Sequence, residues 1–337
     1  MNRDDVLRRL RDADPASHER VDGAAREPLA QRALEEIISQ PLHGRSGGRN
    51  PRLAPIGISV AVLISVVVIG MLATQRPAEV RLGSAQVALT RAAEVAAGAT
   101  VPQLAPGQYL YARTAATELF TFGSGDERWT AFVPVQQEFW IAPDGSGRIR
   151  EVPGRPTFSG QRDRALWRAS GKPRVQGRPS DRVVGPGALA PDLGAEASTD
   201  AQSLALVLLR TDLASDLPED QRLFVVSSDL LSSPLVTPEL RSSLYHLVAG
   251  LDKVELLGHV KDPMGRTGIG VAIPSGSTGV ESRRVLIFDE ATSAVLAEEV
   301  ILLEPVEWID ARPPIVAESR VFSPAAIVAS DHDRVAG

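Results

Sequence analysis

The stretch LAPIGISVAVLISVVVIGMLATQ, from Leu53 to Gln75, carries no charged residue and constrains the reading of everything around it. As a helix rising about 1.5 Å per residue it would reach about 34 Å, enough for a hydrocarbon core about 30 Å thick. A helix packed on a soluble core keeps a polar stripe for solvent, and this run has none. Pro55 falls in the first turn, where a missing N–H does no damage. A transmembrane helix is expected rather than a cleaved signal peptide. The segment 1–52 is far longer than a normal n-region, and no convincing small-x-small cleavage site follows the run.

Such a span divides the chain into a short helical segment with a basic linker at 1–52, a membrane helix at 53–75 and a large domain at 76–337. Only the last is long enough to bury a sizeable core. Arg45, Arg49 and Arg52 precede the span with no acid after Glu36, whereas Arg76 and Arg81 follow it with Glu79. Positive charge concentrates on the cytoplasmic side of membrane helices. The N-terminus is therefore expected in the cytoplasm and the large domain outside it, with the bilayer as the first partner.

Ahead of the span, Leu29, Ala33, Leu34, Ile37 and Ile38 recur at helical spacing between Ala24 and Ser39, opposite Arg32, Glu35 and Glu36. With the shorter stripe Val6, Leu7 and Leu10, this makes an amphipathic pair too small to bury its own apolar faces. Such a pair frays, lies on the membrane or docks on a partner.

In the large domain, Ser84–Ala97 is alanine-rich and reads as a helix with Ser84 as its cap. GQYLYART alternates Tyr109, Tyr111 and Arg113 on one strand face, and QEFWIAPDGSGRIREV reads as a hairpin turning at Asp144–Gly147. The stretch 153–200 is dense in Pro, Gly, Arg and Ser and is expected to be a loop-rich insertion. Helical spacing returns at Asp200–Leu213 and at Pro238–Leu251, the second with Thr237 as N-cap and Gly250 at its close. Five strands are then expected at Val254–Lys261, Thr267–Ile273, Arg284–Asp289, Val295–Leu303 and Val316–Phe322, joined by turns too short for parallel crossovers. The fold class is α+β: a transmembrane helix followed by a curved antiparallel sheet with helices packed on one face.

Composition narrows the chemistry. With no cysteine there are no disulfides, zinc thiolates or thiol nucleophiles. A net charge of −6 without a block of Lys or Arg argues against direct nucleic-acid binding. His246 and His259 have no second ligand at metal spacing, no GxSxG occurs, and GIGVAIPSG lacks the dinucleotide fingerprint. No catalytic residue, metal or cofactor is expected, and Asp144 and Asp262 suit turn hydrogen bonds. Tyr109, Tyr111, Phe139, Trp140 and Trp167 fit core packing, and would equally line an apolar pocket on the sheet.

GQYLYART, FWIAPDGSGRIRE, TPELRSSLYHLVAGLDKVELLG with the following DPMGRTGIGVAI, and LIFDEATSAVLAEE together resemble an actinobacterial family of single-pass membrane proteins of unassigned activity. Its genes often lie beside those of extracytoplasmic-function sigma factors. The outer domain is also similar in architecture to the half-barrel of lipoprotein carriers and of sigma-E regulators of the RseB type. The resemblance implies a regulatory or sensory protein of anti-sigma character, with residues 1–40 meeting a sigma factor. Alternatively it implies a tethered module for lipid or another apolar ligand. It supplies no catalytic residue.

Overall fold

The computed structural model describes residues 82–100, 103–123, 127–189, 200–211, 217–275 and 280–335. The expected span at 53–75 and the stripe of Leu29, Ala33, Leu34, Ile37 and Ile38 lie outside the described residues. Among those described, no helix is long and apolar enough to cross a membrane.

The chain order is α1 (Leu82–Ala97), β1 (Tyr109–Phe122), β2 (Trp129–Ile141), β3 (Gly147–Pro153), α2 (Gln161–Ala169), β4 (Ser180–Val184), α3 (Ala201–Thr211), α4 (Glu219–Leu231) and α5 (Pro238–Ala249). Six strands follow: β5 (Glu255–Lys261), β6 (Thr267–Ser275), β7 (Ser282–Phe288), β8 (Val295–Leu302), β9 (Ile315–Phe322) and β10 (Ala326–Val328). All pair antiparallel in one sheet, ordered β4-β3-β2-β1-β9-β8-β7-β6-β5, with β10 also on β1. Register shifts at Leu256/Gly258, Ile287/Phe288 and Val300/Ile301 mark bulges, which bend and twist the strands that carry them.

The main core lies between the helices and the β5–β7 half of the sheet. Val271, Ile273, Leu286 and Phe288 meet Leu89, Leu244 and Tyr245 there, all at 1% exposure or less. The alternate residues Ala272, Val285 and Ile287 enter a second cluster with Ala297 and Val321, as the two-residue strand period requires. Helix α1 presents Ala92, Ala93 and Ala96 to this core, and small side chains let it lie close against α5. It is already helical at Leu82, ahead of the start expected at Ser84.

Local chemistry explains several element ends. Thr237 accepts the Leu240 N–H at 3.3 Å, Pro238 takes the first helical position of α5, and Gly250 closes it with a right-handed backbone. Asp144 Oδ1 accepts the N–H and hydroxyl of Ser146 at 2.9 and 2.6 Å in the β2–β3 turn. Asp262 Oδ1 accepts the N–H groups of Met264 and Arg266 in the β5–β6 turn.

The expected loop-rich stretch 153–200 contains α2 and β4. Asp163 anchors α2 on the sheet: its buried carboxylate accepts from Thr130 N–H and Oγ1 at 3.2 and 2.9 Å and from Ser159 Oγ at 2.6 Å. Helix α4 has no counterpart in the sequence expectations. Its buried face carries Gln221, Ser227 and Ser228 beside Leu223, Phe224 and Leu231, so no clean apolar stripe marks it.

Candidate functional site

The helix-facing side of the sheet changes character from β7 to β9. Leu286 of β7 stands opposite Glu298 of β8, and Glu298 opposite Arg320 of β9, so the apolar surface under α5 becomes charged within two strands. Above the charges lies the end of α4. Arg320 Nη1 donates to Asp229 Oδ1 of α4 at 2.8 Å and stands 3.7 Å from Glu298 Oε2. One guanidinium thus serves a carboxylate of the helix layer and one of the sheet.

The seam is only partly satisfied. Glu298 Oε1, Ser228 Oγ and Arg284 Nε are buried and make no hydrogen bond in the described structure. Burial first, then the Asp229 carboxylate, pushes Glu298 up to about 7 against the opposing pull of Arg320, Ser232 and Arg284. On β8 the next residue, Glu299, is likewise pushed to about 7, by burial and by Asp262, with Arg283 opposing. The cleft bounded by Ser228, Asp229, Arg284, Glu298 and Arg320 has a volume of about 30 Å³. At about 10–15 Å³ per water, that admits two or three waters and nothing the size of a metabolite.

The five aromatic residues singled out from the sequence are divided by the structure. Tyr111 and Trp140 stand opposite each other on β1 and β2 with ring centroids 5.3 Å apart, and Tyr109 and Val328 pack against them. Phe139 stands opposite Ala112, on the other face of the sheet by strand alternation. Trp167 lies on α2 against Phe158, at 5.1 Å, and donates its indole N–H to Pro173 O.

Around Trp140 the polar groups are fully engaged. Glu138 accepts from Tyr111 Oη at 2.8 Å, Arg150 Nη1 at 2.9 Å and Arg334 Nε at 2.6 Å. Burial alone would raise its carboxyl, but the hydrogen bonds from Arg334, Tyr111 and Arg150 outweigh that and hold it below the usual range. Burial and the bond to Glu138 push the Tyr111 phenol up to about 12. The C-terminal residues carry this constellation and no motif announces it, because Glu138 and Arg334 are far apart in the chain.

His246 and His259 stand apart from both clusters, whereas His332 lies against Arg148 beside Trp140. His246 is exposed at the end of α5, and His259 lies 3.4 Å from Glu290 at the surface. Among the described residues no group of three or more metal-binding side chains converges.

No family model matches this chain, and no curated protein matches it. Among solved structures it is similar to the crystal structure of MucB in complex with MucA(peri), at 14% sequence identity and a TM-score of 0.26. That alignment covers 73% of this chain and 56% of the other, so this chain spans little more than half the length of that protein. At such a TM-score the likeness transfers neither a site nor a partner.

Proposed function

We propose that the chain is a single-pass membrane protein of regulatory or sensory type, with a cytoplasmic tail and an extracytoplasmic α+β domain that binds and responds rather than catalyses. The observation that carries this reading is the α4 seam. A helix tied to the sheet by a shared guanidinium, with buried polar atoms beside it that lack a protein partner, is the element we take to shift on sensing. A sensor requires such an element. The charge-free run Leu53–Gln75 supports the anchor, and the stripe Leu29, Ala33, Leu34, Ile37 and Ile38 is the proposed contact for a sigma factor.

The alternative, a tethered carrier of lipid or another apolar ligand, needs an apolar cavity between sheet and helices. Phe224, Tyr245, Leu286 and Phe288 occupy that space at 2% exposure or less, which favours the sensory reading. The test uses the full chain in membranes. A sigma factor is expected to co-purify with it and to be lost when Leu34 and Ile37 are both changed to aspartate. Absence of any sigma factor from the wild-type preparation would reject the anti-sigma part, and a reporter fused after Gly337 that works only in the cytoplasm would reject the orientation.

A further inference from the structure

The segment following β9 lies on the sheet as a bound peptide would. After Phe322 the chain passes Ser323–Ala325 and resumes as β10 on the edge of β1 that β9 uses further along: Phe322 stands opposite Thr114, Ala326 opposite Tyr111 and Val328 opposite Tyr109. Val328 is its buried apolar anchor, against Tyr111 and Trp140, while Ile327 is 42% exposed. Beyond it the contacts are polar. Asp333 O accepts the Trp140 indole N–H at 2.7 Å. The Arg334 guanidinium bonds both oxygens of Glu138, at 2.6 and 3.2 Å, and lies 5.4 Å above the Trp140 ring. Arg148 covers the same ring at 5.6 Å and reaches Asp331 O at 3.3 Å.

The receiving surface belongs to the sheet and does not depend on the segment for its shape. Glu138 keeps Tyr111 and Arg150 as donors from β1 and β3, and Arg148 is fixed by two bonds of 2.7 Å to Asp181 of β4. A carboxylate oriented beneath an indole face is built to take a planar guanidinium, by paired hydrogen bonds and by cation–π attraction. The outer end of the segment is open to solvent: Arg334 is 49% exposed, and His332 and Asp333 are exposed. Strand addition supplies affinity through the main chain and leaves specificity to such pockets.

We propose that Glu138, Trp140 and Arg148 form a recognition site for an arginine that follows a short paired strand across a turn. The chain's own Ala326–Arg334 occupies it in cis, and a partner protein's strand of the same chemistry takes it when that segment leaves. The partner's strand would pair with Tyr109–Tyr111 and carry an apolar residue and an arginine at the spacing of Val328 and Arg334. This site is separate from the N-terminal stripe, so failure of the sigma-factor reading leaves it standing.

The test uses the full chain carrying Arg334→Ala and a fluorescent peptide with the sequence of residues 323–335. Binding in the micromolar range is expected. It should be roughly tenfold or more weaker on the wild-type chain, whose own segment competes at high effective concentration. It should be lost when the peptide's arginine is replaced by alanine, or when Glu138→Gln is added to the chain. Equal binding of the arginine and alanine peptides, or no binding to a folded Arg334→Ala chain, would overturn the proposal. Amide exchange of the wild-type chain gives an independent measure: raising salt from about 0.1 M to about 1 M shortens electrostatic reach from about 10 Å to about 3 Å. Exchange at 326–334 should then accelerate while β6 and β7 stay protected, and segment and core strands opening together would equally overturn it.

Discussion

Arg320 and Glu298 stand opposite each other across β8 and β9, yet the hydrogen bond of the guanidinium goes to Asp229 at 2.8 Å while the Glu298 carboxylate waits at 3.7 Å. Two acids drawing on one cation, one of them buried, make the seam sensitive to proton concentration.

The native state holds a proton on Glu298 up to about pH 7, whereas the unfolded chain releases it near the ordinary carboxyl value of 4.5. Stability from this group is therefore fully present below about 4.5 and is lost as pH rises through about 7. Glu298→Gln removes the loss and should raise unfolding free energy by about 2 kcal/mol at pH 8 while changing little at pH 4.5. Urea titrations at the two pH values read it directly. An equal gain at both would show that the carboxylate's titration plays no part.

Asp229→Ala removes the tie between α4 and the sheet. The pair is half exposed, so global stability should fall by no more than about 1 kcal/mol. Locally, amides of α4 should exchange roughly tenfold faster while α5 keeps its protection. Hydrogen exchange resolved by peptide would show whether the two helices respond separately.

Tyr245→Phe tests the main core. The phenol is fully buried, stands 5.3 Å from the Phe288 ring and donates at 2.7 Å to the carbonyl of Ser293, a residue with φ of 56°. Removing the hydroxyl strands that carbonyl and should cost about 1–2 kcal/mol, seen as a lower urea midpoint with unchanged slope.

Asp163→Ala should loosen α2 from β2, because the carboxylate accepts three of the hydrogen bonds that gather Thr130 and Ser159 on the helix. Limited trypsinolysis at Arg164 and Arg168, slow in the parent, should become the first cleavage. Cleavage elsewhere at the same early time would mean that the aspartate supports more than this helix.

Legibility in the sequence followed the range of the interactions. The strands β5 to β9 show their alternation and turns locally, and the expected limits fall close to those observed. The N-cap of α5 needs only Thr237 and Pro238. Helix α4 was illegible because serines and a glutamine share its buried face with leucines. Glu298 and Arg320 read as ordinary polar strand positions until pairing brings them under Asp229. Trp140 was singled out for its size, but its partners Asp333 and Arg334 arrive from the far end of the chain, which no periodicity encodes.

Strands β1 to β4 form one up-and-down run and β5 to β9 another, and the two are joined where Thr114–Glu118 of β1 meets β9, with β10 adding below. Each run pairs only with its chain neighbours and could zip up on its own. The joint between them waits for residues some two hundred positions apart to meet, and loop closure makes such contacts slow. A chain cut between β4 and α3 would thus yield two pieces with their own ladders intact, whose reunion needs β9 and β10 to return to β1 and α1 to return to α5.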